Sequence, residues 1–160
     1  MARAPSPSFR SPISPHPRTG TVLAFDFGAK RIGVAVGDAM LRTAHPLAGV
    51  AAAGDAQRLA AVARLVDEWQ PNALVVGVPR GTDGAAHEMT RRAERFARQL
   101  ESRFGLAVER VDERYSSVEA ESRLREAAGA RRAARAARER TLDSYAAQLI
   151  LEQYFHEAPQ

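Results

Sequence analysis

The sequence predicts one α/β domain built on a five-stranded mixed sheet in the order 3-2-1-4-5, flanked by helices. Three observations carry this expectation. Short runs rich in Val, Ile, Phe and Thr come three in succession before any helical pattern begins. Two further runs of this kind then alternate with stretches whose apolar residues recur at helical spacing. One of the two, from Ala73 to Val78, is almost continuously apolar, as a strand buried on both faces must be. Right-handed crossovers lay strands four and five parallel to strand one, on the side away from the first hairpin.

Taken in order, residues 1–20 hold five of the nine prolines and several serines. Such a composition buries too little apolar surface to offset the entropy of ordering, so residues 1–20 are expected to form a disordered tail and 21–160 the domain. Thr21 to Phe27 and Arg31 to Val36 read as two antiparallel strands joined by a tight turn at Gly28-Ala29-Lys30. A third strand spans Thr43 to Val50, where Pro46 marks an edge because proline cannot donate to a ladder. Asp55 is the expected N-cap of a helix with Leu59, Val62, Ala63, Val66 and Trp69 on one face, closed by Pro71. After the polar loop from Pro79 to Gly84, Met89, Ala93, Phe96, Ala97, Leu100 and Phe104 keep helical spacing. Leu106 to Val111 is the fifth strand. Ser116 and Glu119 form a capping box for a following helix. Leu142, Tyr145, Ala146, Leu149, Ile150 and Gln153 define an amphipathic helix that closes the domain.

Bulk properties narrow the function. The chain has 160 residues, 45% of them hydrophobic, enough for one core. It contains no cysteine, which removes disulfides, thiolate zinc sites and cysteine nucleophiles and fits a reducing compartment. No apolar run is long enough to span a bilayer, and the first residues lack a signal-peptide core, so the expected location is the cytoplasm, away from membranes. The net charge of +4 comes largely from Arg3, Arg10 and Arg18; from residue 21 onward 20 basic side chains face 19 acidic ones. Attraction to phosphate must therefore come from local patches. One patch runs from Arg123 to Arg140, where seven arginines are opposed by Glu126 and Glu139. His45 and His87 lack metal-ligand spacing, and there is no Walker loop, no G-x-S-x-G elbow and no dinucleotide fingerprint.

The chemistry lies at one edge. In a 3-2-1-4-5 sheet the C-terminal ends of strands one, four and five share an edge, where ligands gather in open α/β sheets. Asp26 and Glu113, 87 positions apart, fall at two of those ends. Hydrolysis of a phosphodiester requires stabilised charge on the attacking water and on the leaving oxygen, which divalent ions held by carboxylates supply. Asp26 ends the apolar run Val22-Leu23-Ala24-Phe25, where a charge must be paired or ligated; the alternative is a solvated turn residue. Glu113 competes with Asp112, since only one of two successive strand residues points to a given face, and it could instead be a surface partner of Arg110 or Arg114. Asp143, expected in the first turn of the last helix, is a third candidate; its alternative role is to stabilise the positive end of the helix dipole. Lys30, the only lysine beside 22 arginines, and Arg31 follow Asp26 closely and could hold substrate phosphate. Arg80 in the loop after strand four, and Arg131, Arg135 and Arg138 on one helical face, are further candidates for the nucleic-acid backbone, or else solvated surface charges.

Four motifs, in this order, resemble the YqgF/RuvX family. They are Asp26-Phe27-Gly28-Ala29-Lys30-Arg31-Ile32-Gly33-Val34-Ala35, then Val75-Val76-Gly77-Val78-Pro79 with Asp83-Gly84, then Val111-Asp112-Glu113-Arg114, and Asp143-Ser144-Tyr145-Ala146-Ala147 with Ile150-Leu151. The resemblance covers nearly all of residues 21–155. It implies an RNase H-like fold related to the RuvC Holliday junction resolvases, and an expected role as the nuclease that matures the 5′ end of pre-16S rRNA. It also implies Asp26, Glu113 and Asp143 as catalytic and metal-holding acids, with one or two Mg2+ or Mn2+ ions, and Arg114 beside them in contact with nucleic acid. Two departures matter. Tyr115-Ser116-Ser117 stands where it usually shows a leucine and two threonines, and Val78-Pro79 ends strand four where RNase H proper has an acid. Either the site is differently built, or one metal is held largely by substrate phosphate and water.

The expected partners are thus structured RNA, such as pre-rRNA in the pre-ribosome, or branched DNA, and the protein is expected as a monomer or homodimer. A junction resolvase favours the two-fold dimer, whereas rRNA trimming needs none. A non-catalytic nucleic-acid-binding factor for ribosome assembly or transcription is the competing reading. A sugar-kinase-like phosphotransferase would need a second nucleotide-binding lobe, for which 160 residues leave no room.

Overall fold

Strand β1 (Thr21–Phe27) takes the middle of the sheet because it is apolar on both faces: Val22, Leu23, Ala24 and Phe25 are all fully buried. Around it the computed structural model describes residues 19–28, 30–51, 53–79, 84–112 and 135–157, with 84–86 and 135–143 given by their helical backbone. The other elements are β2 (Arg31–Asp38), β3 (Thr43–Ala51), α1 (Asp55–Trp69), β4 (Ala73–Val78), α2 (Gly84–Phe104), β5 (Ala107–Asp112) and α3 (Arg135–Glu157). The strands are ordered β3-β2-β1-β4-β5, as the sequence predicts. β1 pairs antiparallel with β2 and parallel with β4, and β5 runs parallel to β4. The architecture is an RNase H-like α/β fold.

Alternation along the strands sorts the core into two layers. On one face Leu23, Phe25, Phe27, Val34, Val76 and Val78 pack against Val62 of α1 and Ala93, Phe96, Ala97 and Leu100 of α2. Phe96 meets Phe25 edge-on, with ring centroids 6.0 Å apart, and Phe27 at 5.3 Å. On the other face Val22, Ala24, Ala35, Val75 and Val111 pack against Ala147, Ile150, Leu151, Tyr154 and Phe155 of α3. The small side chains of Ala146 and Ala147, both buried, let α3 lie close to the sheet. Two further features hold it there. The buried Ser144 hydroxyl donates to the Leu47 carbonyl of β3. Gly37 leaves room for the Leu151 and Phe155 side chains.

Local chemistry refines several expected boundaries. Asp55 is the first helical residue of α1 and not its cap; Gly54 occupies the N-cap with no side-chain bond. The Asp55 carboxylate is engaged instead by Arg58, Arg95 and Gln99. At the other end Gln70 adopts a left-handed conformation, its N–H bonding the Val66 carbonyl at 2.8 Å, and Pro71 prevents continuation. Trp69 is the last residue of α1 and is exposed, not core. β2 runs two residues further than expected, to Asp38, whose Oδ1 accepts from the N–H groups of Met40 and Leu41 in the turn. β5 is Ala107–Asp112, one residue later than expected. β3 is an edge strand, with Pro46 opposite Ala35. The largest revision concerns the last helix, which begins at Arg135 and not near Leu142. The capping box at Ser116 and Glu119, and the tail over residues 1–18, lie outside the described residues.

A Cβ added at Gly37 would collide with the Thr43 carbonyl oxygen and stand 2.8 Å from Leu151 Cδ2 and 2.9 Å from Phe155 Cε2. Gly37→Ala is therefore expected to lower stability by about 1–3 kcal/mol, the usual cost of overpacking, read from urea denaturation midpoints at constant m-value.

Candidate active site

Asp26 is the polar interruption in the β1 core, half-buried at its C-terminal end. Its position on the strand puts it on the face covered by α3, in line with Val22 and Ala24. The register surrounds it with glycine: Asp26 pairs with Gly33 of β2 on one side and Gly77 of β4 on the other, and Gly77 pairs with Val111 of β5. Positions 33 and 77 lie on the same face as the carboxylate, so its neighbours in the sheet on both sides carry no side chain, and both glycines are buried. A partly exposed carboxylate at a strand end is the kind of oxygen donor a hard divalent cation takes.

The neighbouring acids divide between the two faces. In β5, Val108 belongs to the α1/α2 layer and Val111 to the α3 layer. Asp112 pairs with Val78, which also faces α2, so Asp112 lies on the far side of the sheet from Asp26. Arg110, on the same side as Asp112, reaches α2 and binds both Glu94, at 3.1 Å, and Glu101. Partial burial alone would lower the Arg110 pKa, but the hydrogen bonds and charges of Glu101 and Glu94 outweigh it and raise the value. This clamp fixes the orientation of β5 against α2.

Asp143 lies eight residues inside α3, one turn ahead of the buried Ala147, and not in the first turn as expected. The helix-dipole role suggested for it therefore falls away, because that field acts mainly on the terminal turns. Lys30 is exposed in the β1–β2 turn. Arg31 is half-buried and alternates onto the same face as Gly33 and Ala35, the side of Asp26. Arg135 and Arg138 lie in the opening turns of α3. Glu113, Arg80, Arg114 and Arg131 lie outside the described residues. Among the described residues no three acids or histidines gather into a metal-binding group, and no helix is long and apolar enough to cross a membrane.

The family model described as "RuvX: Holliday junction resolvase" matches residues 20–157. The chain belongs to the RuvX family. This RuvX protein is 52% identical over 136 residues to a protein of Dechloromonas aromatica (strain RCB) that carries the name "Putative pre-16S rRNA nuclease", covering 85% of this chain and 90% of that one. A protein of the same name from Burkholderia vietnamiensis (strain G4 / LMG 22486) is 52% identical over 140 residues, covering 88% and 91%. Among solved structures, T. thermophilus RuvC in complex with a Holliday junction substrate superposes with a TM-score of 0.53 at 18% identity, covering 86% of this chain and 94% of that one. At that identity the likeness concerns the fold. Family and relatives together make this an enzyme of the nuclease class, acting on phosphodiester bonds.

Sequence reasoning passed over Arg58, Arg92 and Arg95, which converge between α1 and α2 although 34 or more positions separate the first from the others. Their periodicity within each helix marks only a surface face, and nothing short of the helix packing brings them together.

Beneath α3, burial and the nearby Glu109 carboxylate push the Tyr154 phenol up to about 12. A raised folded-state value means that the neutral phenol stabilises the fold in full below pH 10, and that this stability is lost as pH rises from about 10 to about 12. The loss is expected to be roughly 2 kcal/mol. Denaturation measured across that window will show it, and Tyr154→Phe will flatten the dependence.

Proposed function

We propose that this RuvX protein is a metal-dependent endonuclease that matures the 5′ end of pre-16S rRNA in the cytoplasm, with Asp26, Glu113 and Asp143 as its metal-holding, catalytic acids. The observation that carries this reading is the position of Asp26 at the end of the central strand, flanked in register by Gly33 and Gly77. Asp112 faces α2, so alternation continued by one residue would bring Glu113 to the side of Asp26. Asp143 precedes Ala147 by one turn on a helix whose Ala147, Ile150 and Tyr154 face that side.

When bound there, one or two Mg2+ or Mn2+ ions would lower the pKa of a water and offset charge on the leaving oxygen. The protein groups have separate tasks. The carboxylates supply hard oxygen ligands and leave positions open for phosphate. Gly33 and Gly77 place no side chain of their own beside Asp26. Lys30 and Arg31, close behind Asp26, would hold phosphate oxygens and orient the scissile bond, Arg31 with the more fixed geometry because it is half-buried. Arg80, Arg114, Arg131, Arg135 and Arg138 would extend the grip along the backbone of structured RNA. The relatives that share about half of this sequence carry the rRNA-processing name, which favours RNA. The family description favours the second reading, resolution of branched DNA, for which a two-fold homodimer would be the fitting form.

Asp26→Asn and Glu113→Gln are each expected to fold normally, by thermal melting, and to lose at least about 100-fold in Mg2+- or Mn2+-dependent cleavage of a 5′-extended 16S precursor. Asp112→Asn is expected to stay within about threefold of the parent. Unchanged cleavage by purified Asp26→Asn sinks the proposal. Depletion in cells followed by mapping of rRNA ends separates the substrates: extended 5′ ends support the RNA reading, and normal ends with persistent four-way junctions support the second.

A further inference from the structure

On the opposite side of the sheet from Asp26, between α1 and α2, there is a cleft of about 300 Å³ floored by Phe27 and Phe96. Its walls are Arg58 from α1 and Arg92, Arg95 and Gln99 from α2, with Asp55 at one side. Three arginines thus face one lining carboxylate. That carboxylate shows how the cleft handles an anion: Asp55 Oδ2 accepts from Arg95 Nη2 at 2.8 Å and from Gln99 Nε2 at 3.2 Å, while Oδ1 accepts from Arg58 Nη1 at 3.3 Å. Arg58 is itself fixed, largely buried and stacked 5.0 Å from the centre of the Phe27 ring. Arg92 and Arg95 are exposed at the mouth, and among the described residues Arg92 pairs with an equally exposed i,i−4 partner, Glu88, at 2.9 Å. Exposed pairs of that kind are weak and exchange readily for a phosphate oxygen.

The cleft also stands at the right edge. Phe27 follows Asp26 directly in β1, so the two side chains leave the same strand end toward opposite faces. The Thr90 hydroxyl, bonded to the Pro79 carbonyl, ties the start of α2 to the end of β4 at that edge. A polynucleotide with one phosphodiester beside Asp26 can therefore pass around the sheet edge and present a neighbouring backbone segment to the arginines. A cleft this size lies at the lower limit of ligand sites, which suits a single backbone unit.

We propose that the cleft of Arg58, Arg92, Arg95 and Gln99 is a second contact site for the phosphodiester backbone of the nucleic acid, separate from the cleavage centre and behind it. The proposal rests on the nucleic-acid substrate argued above, but not on cleavage.

The test is equilibrium binding of the full-length protein to a long structured RNA in chelator, where no metal-dependent cleavage occurs, as a function of salt. Arg92→Gln/Arg95→Gln is compared with Arg64→Gln/Arg103→Gln, which removes the same charge from exposed positions elsewhere on α1 and α2. The cleft pair is expected to bind about tenfold more weakly than the control pair. Its plot of log K against log salt is expected to be shallower by about 2. In the presence of metal it should raise KM and leave kcat unchanged, because neither arginine touches the reacting bond. Binding and salt slope equal to those of the control pair overturn the proposal, whatever the cleavage assay shows. Weaker binding by the cleft pair in a protein that never cleaves would uphold it while removing the nuclease reading.

Discussion

A strand packed on both faces tolerates a charge only where its burial ends, and β1 is such a strand. Four consecutive residues, Val22 to Phe25, are sealed between α3 on one side and α1 with α2 on the other. The next residue is Asp26. Desolvating an isolated carboxylate costs several kcal/mol, so its partly exposed place near the strand end, with Gly33 and Gly77 alongside in register, follows from the same packing that buries its neighbours. The strand supplies rigidity, and its end supplies access. The reading of Arg31 and Asp112 depends on that arrangement, because Arg31 shares the face of Asp26 and Asp112 does not.

Much of this was legible in the sequence. The strand order, the central place of β1, the edge position of β3 with Pro46 and the buried run of β4 all come from apolar periodicity and crossover handedness, and all are found. What pattern could not give was any property set by contacts distant in sequence. Asp55 looks like an N-cap because its type and place are right, yet Arg95 and Gln99, forty and more positions away, draw its carboxylate into an ion pair. Trp69 fits the apolar stripe of α1, yet falls where the helix has already passed beyond the core. The start of α3 was hidden because Arg135 to Glu139 carry no apolar periodicity, only residues of good helix propensity. The face taken by Asp112 could not be read from the sequence; its pairing with Val78 and the Arg110 clamp on Glu94 and Glu101, visible only after folding, put it on the α2 side.

The two faces of the sheet carry unlike chemistry because different helices cover them. α3 approaches closely through Ala146, Ala147 and Gly37, and its apolar side chains fill the space between. α1 and α2 meet the other face with a larger aromatic core, and where they diverge at the sheet edge they leave the charged cleft above Phe27. An acidic position on one side and a basic one on the other, a single residue apart along β1, suit a ligand that is itself a chain.

Pro46 has a bearing on how copies of the protein behave beside one another. A border strand presents a row of backbone groups that another chain can use as a template, and long flat borders promote amyloid-like stacking. β3 is nine residues long and largely exposed, which would make it a hazard of this kind. Proline in its middle deprives a newcomer of one N–H, and the irregular register with β2 near Ile32 bends the border away from the regular repeat. Sheet growth is thereby discouraged on that side, which favours copies that stay apart over copies that stack.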